Sequence, residues 1–427
     1  MKKHPLPLML ILAAGIASIL PTLSARAADI NATWSFPTNG SWDDATKWSS
    51  NPLFPNNGAS TFNATIGAPG GPYAVTLGVD ITIENLNLTS PGATLAHVGG
   101  TLEINGALTL QAGTYSVQGG AIKGTTITES GGALVFTNNG NNRLDGATLN
   151  GDLNLNQAGG AVVRLQNGAG FTGNANLGTP DGSQSILAYE QTSTLSGATI
   201  NMDGIGAANY LNIEGTHTLT VGPTGKIRGQ GSVGNQFFVG GTNALINQGL
   251  ISADLDAGTL TLTSGGGSFT NEGTVEAING ATLSIQAINW SNGPAGMIRA
   301  TGGSTLNFSG SYSNSGAVSL TDSTLNLQGT FTVGALGLGG FSRNAASVVN
   351  IQGDLDNTGA TLALNAATGD WNLAGGRIIG GNITQSGGAR LLFTITPAGI
   401  SGDIFMLLRR NERAQLGSRP RPVPEIC

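Results

Sequence analysis

The stretch TLTLTSGGGSFTNEGTVEAINGATLSIQAINWSNGPAGMIRATGGSTLNF, residues 259–308, repeats itself. Thr259-Leu260-Thr261-Leu262 returns as Thr282-Leu283-Ser284-Ile285 and again as Thr305-Leu306-Asn307-Phe308, 23 residues on each time. Two further copies are Thr324-Leu325-Asn326-Leu327 and Thr361-Leu362-Ala363-Leu364. In each copy a small or polar residue alternates with an apolar one. Period two is the signature of a strand with one face inward and one outward. The pattern therefore predicts an interior column of Leu260, Leu283, Leu306, Leu325 and Leu362. A second column follows of Leu262, Ile285, Phe308, Leu327 and Leu364. The intervening Thr, Ser and Asn face water, and β-branched Thr favours extended backbone.

A second motif keeps the same pace. An apolar residue precedes Asn by two positions, and Gly and another apolar residue follow: Leu245-Ile-Asn247-Gln-Gly249, Phe269-Thr-Asn271-Glu-Gly273, Trp290-Ser-Asn292, Tyr312-Ser-Asn314-Ser-Gly316 and Leu355-Asp-Asn357-Thr-Gly359. The Asn positions are 24, 21, 22 and 43 residues apart, the last gap being nearly two periods. Stacked Asn side chains at this spacing read as an amide ladder, each bonding to the next coil. The texture extends back to Leu102/Ile104, Leu108/Leu110, Leu153/Leu155, Leu211/Ile213 and Leu219/Val221, with Gly-Gly and Asn-Gly corners between. One longer duplication links Gly119–Thr137 with Gly375–Thr394.

A repeat of about 22 residues is half a propeller blade, and a sandwich does not require identical columns at a fixed period. The expected fold is all-β, a right-handed parallel β-helix (β-solenoid) of about 22 residues per coil. Residues 75–400 would make about 15 coils and a rod of roughly 70 Å. Residues 28–74 are expected to form a Trp-rich N-terminal cap, and 401–427 a non-repeat Arg/Pro-rich tail without order.

Composition narrows the class. Of 427 residues, 68 are Gly, 10% are charged and one is Cys. A disulfide scaffold is impossible, and the Gly residues lack the strict three-residue period of collagen. Residues 1–27 read as a secretory signal peptide: Lys2 and Lys3, the apolar run Leu8–Leu20, then Ala25-Arg26-Ala27 as a cleavage site. That run is too short to span a bilayer, and no later stretch is long and apolar enough. An exported chain with no integral membrane span is expected, extracellular, at the cell surface or in the periplasm. Residues 28–400 carry 10 basic and 21 acidic residues. No basic groove is predicted for a polyanion, so nucleic acid is not an expected partner.

Two groups of residues invite a chemical reading. Trp34, Trp42 and Trp48 fall within fifteen residues, out of five Trp in the chain. They read as a plug of bulky rings at the open end of the rod, with a carbohydrate-stacking platform as the alternative. Asp254/Asp256 and Asp354/Asp356 are carboxylate pairs at i, i+2, which in a strand share a face. Such pairs can hydrolyse glycosides or hold Ca²⁺. Both lie in turn-rich contexts, where Asp is common for structural reasons. His97 and His217 lack any motif and are expected at the surface or in turns. No metal site and no cofactor are predicted.

The Trp34…Trp42…Trp48 opening with Tyr73-x-Val75-Thr-Leu77, and the stretches Leu144-Asp145-Gly146-Ala147-Thr148-Leu149-Asn150-Gly151-Asp152-Leu153 and Thr218–Gly231, resemble large secreted bacterial proteins built like autotransporter passengers. The likeness covers about residues 30–395. It implies a β-helical extracellular protein and specifies no activity. Many relatives end in a secretion barrel or a V-P-E-P sorting tail. This chain departs from both, ending Val423-Pro424-Glu425-Ile426-Cys427. The function expected is that of an exported, non-enzymatic solenoid with polysaccharide or other cell-surface and matrix components as partners. The alternatives are a polysaccharide lyase or glycoside hydrolase acting through the Asp pairs, and a carbohydrate-binding module at the Trp cluster.

Overall fold

The computed structural model describes residues 29–206 and 208–394. The signal segment and the tail lie outside the described residues. Within them the chain forms 47 strands, one four-residue α-helix and two 3-10 turns. Every strand pairing is parallel, and within each sheet a strand is bonded to the strands one coil before and one coil after it. The molecule is a β-solenoid of about 15 turns, roughly 22 residues per coil.

Three faces run along the stack. One is a single uninterrupted sheet of fifteen strands from Ile81–Ile83 to Leu391–Phe393. The second holds sheets of seven, six and three strands, and the third sheets of five, nine and two. The breaks are seams where successive coils lose their backbone ladder while the neighbouring face keeps its own.

The interior is the product of period two. Leu260, Leu283, Leu306 and Leu325 are paired in register and buried. The fifth member differs from expectation: Val349, not Leu362, follows Leu325. Leu362 and Leu364 are also buried, but their strand lies on another face and pairs with Asn382–Gln385. Copies of a Thr-Leu-x-Leu motif look alike on any face of a three-sided prism, because every face asks for the same alternation. The duplicated segments show the same interchangeability. Ala121–Lys123 belongs to the fifteen-stranded face, whereas its counterpart Arg377–Ile379 lies in the three-stranded sheet.

The amide ladder is present and buried. Asn247 Nδ2 donates to Asn271 Oδ1 at 2.8 Å, Asn271 to Asn292 at 2.7 Å and Asn292 to Asn314 at 2.7 Å. Each of these three also donates to a backbone carbonyl of the following coil, Thr274, Met297 or Ala317. The two-period gap has a physical counterpart. Where the next Asn would stand, the chain forms the short helix Val333–Leu336, and Asn314 Nδ2 donates instead to Leu336 O at 3.0 Å. Further ladders sit on the outside. Asn372, Asn350, Asn326 and Asn307 are linked in series, as are Asn201, Asn176 and Asn154.

Close stacking fixes the corner residues. A Cβ on Gly178, whose φ is +111°, would lie 2.0 Å from Gly204 N of the next coil. No L side chain fits there.

Candidate functional site

The aromatic opening is part of the stack. Asp29–Thr33 is the first strand of the seven-stranded sheet, and Gly40–Ser41 the first of the five-stranded one. Tyr73–Leu77 crosses the boundary expected at residue 75, and pairs with both Gly40–Ser41 and Ala93–His97. Strands within residues 29–74 thus pair directly with those of the following coils. Trp34, Trp42 and Trp48 are at most 1% exposed. Trp48 stands edge-on to Trp34 at 5.1 Å and to Trp42 at 4.8 Å between centroids. Their ring nitrogens donate to the carbonyls of Thr38, Pro55 and Trp42. A stacking platform needs an open ring face, and these rings have none. The carbohydrate reading of the Trp cluster loses its physical basis.

The two carboxylate pairs do not meet. Asp254 and Asp256 follow strand Leu250–Ala253 in a turn rather than lying in a strand, so they do not share a strand face. Asp254 accepts from Arg228 Nε at 2.7 Å, and Arg228 also holds Asp203 at 2.9 Å. Asp354 and Asp356 do share the strand Asp354–Asp356, on a different face and four coils further on. The Arg377 guanidinium hydrogen-bonded to Asp354 holds its carboxyl below the usual range. Thr358, through its side chain and its backbone N–H, does the same to Asp356. General acid catalysis needs a carboxyl raised towards neutrality. Among the described residues no group of three or more His, Cys, Asp or Glu could hold a metal ion.

His97 overturns its expected place at the surface. It ends strand Ala93–His97 pointing inward, and it is fully buried. Tyr115 Oη lies 2.9 Å from Nδ1 and Gly100 O 3.2 Å from Nε2. Those partners assign the neutral tautomer that accepts at Nδ1 and donates at Nε2. Burial lowers its pKa to about 4. A Cβ on Gly120 would come 2.2 Å from the imidazole.

The most elaborate side-chain assembly is one the sequence reading missed. On strands Ala161–Gln166, Ser185–Tyr189 and Asn209–Ile213 of the large sheet, most outward residues are buried as well as the inward ones. Register shifts by one residue where Leu211 and Asn212 face Val233 and Asn235. Such a bulge re-aims the chain. The loop that follows folds back over the outside of the sheet. Glu214, fully buried, accepts from the backbone N–H groups of Phe237, Phe238 and Val239 at 2.8–3.0 Å and from Asn212 Nδ2 at 2.9 Å. Phe238 packs on Val162, Ile186 and Ala188, and its ring lies 4.7 Å from the Arg164 guanidinium. Arg164 pairs with Glu190, which also accepts from Gln166. Each group is engaged by the others, so the assembly fixes a loop rather than holding a reactive group free. Its sequence signal was there to read. Ala161-Val162-Val163 and Ile186-Leu187-Ala188 are apolar at both parities, as strands covered on both sides must be.

No family model, curated protein or solved structure matches the chain. Function must therefore be argued from the geometry. Among the described residues no helix is long and apolar enough to cross a membrane.

Proposed function

We propose that this chain is an exported, non-enzymatic β-solenoid, a structural or adhesive element of the cell surface or extracellular matrix. One observation carries the reading. The carboxylates that could have formed a catalytic pair are instead bound to arginines on separate faces, Asp254 to Arg228 and Asp354 to Arg377. The signal-like opening and the resemblance to autotransporter passengers supply the extracellular setting. A stack of near-identical coils gives length and surface from little sequence variety, which suits a spacer or matrix component.

The test has two arms. Fractionation of cells expressing the full chain is expected to place it outside the cytoplasm. A polysaccharide panel read by reducing-end and unsaturated-product assays is expected to give no turnover. Turnover lost on Asp254→Asn or Asp354→Asn would replace this reading with a polysaccharide lyase or hydrolase.

A further inference from the structure

The seam between the seven- and six-stranded sheets opens a cavity. The first ends at strand Gly170–Phe171, and the second begins one coil later at Ser193–Leu195, with no ladder joining the two. The space left is about 290 Å³ and is partly open to solvent. Its apolar wall includes half-buried Phe171, which packs on the core, and Tyr189. Its polar wall includes Gln191, Thr192, Thr194 and Ser196. No charged residue is among the described residues that line it.

Gln191 is held in place. Its carbonyl oxygen accepts from Gly168 N at 2.6 Å, and its amide donates to Ala169 O at 2.7 Å and Ser193 Oγ at 3.1 Å. One side chain bridges the coils where the backbone ladder fails. The cavity is therefore built on fixed elements.

We propose that this seam cavity binds a single ring of a neutral polysaccharide. Ligand sites combine an apolar wall with a few placed polar groups. A pyranose matches both: its C–H face lies against the half-buried Phe171 ring, and its hydroxyls exchange hydrogen bonds with the Thr and Ser hydroxyls of the polar wall. Anionic ligands find no cation here to offset their desolvation. The inference names a ligand for the extracellular role proposed above, and rests on that role for the ligand's presence.

Isothermal titration of the full chain with cello-, malto-, xylo- and mannohexaose, and with hexagalacturonate as the acidic probe, tests it. At least one neutral hexasaccharide binds, and the acidic one binds more weakly. Phe171→Ala weakens binding about tenfold, the worth of an aromatic contact. Thr194→Lys, on the exposed rim, weakens it without changing the melting temperature. Ser291→Lys, on the same sheet four strands further on, leaves it unchanged. The inference is overturned if no neutral sugar binds, if the acidic one is preferred, or if Thr194→Lys binds as tightly as the native chain. Absent binding by a chain still found outside the cell ends this inference alone. A cytoplasmic chain that binds sugar ends the extracellular reading alone.

Discussion

Strands Ala161–Gln166 and Ser185–Tyr189 belong to the same sheet as Thr282–Ile285 and Thr305–Phe308, and all four turn aliphatic side chains inward. Their outer surfaces have little in common. The later pair turns Thr282, Thr305 and Asn307 outward half-exposed, with Ser284 buried and accepting from Asn307 Nδ2. The earlier pair is roofed by a loop, an ion pair and a phenylalanine. Inside, every coil must meet the same neighbour at the same height, so the choice of residue is narrow. Outside, no such demand exists, and individual coils are free to carry different structures.

The largest effect expected is at the roofed strands. Arg164→Ala leaves Glu190 buried without its cation, at a cost of about 3–5 kcal/mol. Lys123→Ala removes the partner of Glu103 on the unroofed part of the same sheet, where both side chains are exposed, and is expected to cost no more than about 1 kcal/mol. Urea denaturation of both variants measures the gap. Equal losses would break the contrast between roofed and open surface.

The second test concerns a polar group on the inside. Above pH 6.5 His97 is neutral in folded and unfolded chains alike. As pH falls from 6.5 towards 4 the unfolded chain takes up a proton that the folded one refuses, and stability drops. The full loss is about 3 kcal/mol. A His97→Gln variant should lack this slope in a pH series of melting curves; an unchanged slope would assign it elsewhere.

Two smaller effects separate the inner from the outer ladder. Asn271→Ala breaks a fully buried rung and should cost about 1–3 kcal/mol. Asn326→Ala breaks a part-exposed rung, and its effect should stay within about 0.5 kcal/mol. Thermal melts of the pair decide whether depth, rather than the amide bond itself, sets the value. Finally, the buried hydroxyl of Tyr312 has no hydrogen-bond partner among the described residues. Tyr312→Phe is expected to raise stability by about 1 kcal/mol, since it removes an unmet polar group and keeps the ring stacked on Trp290. Loss of stability would mean that the hydroxyl is satisfied.

The inner columns were legible because alternation and period coincide. Leu260 through Leu325 could be placed from spacing alone. The buried Asn ladder was legible for the same reason, since Asn recurs on the period beside Gly. Leu362 was misplaced because one face of the prism reads like another, and only coil-by-coil counting separates them. The partnership of Glu214 with Phe237–Val239 was hidden, because it joins residues one coil apart through a loop that obeys no period. His97 looked unremarkable because burial of a lone imidazole depends on Gly120 and Tyr115 in the next coil. The fate of the Trp cluster turned on burial, which residue type does not determine.

The uninterrupted fifteen-stranded face has a mechanical consequence. All of its bonds point along the long axis, so a pull at the two ends loads the coils in series. Such a stack cannot share the force among its rungs. It should lengthen in steps, one coil at a time, and each step should release about 22 residues of slack chain.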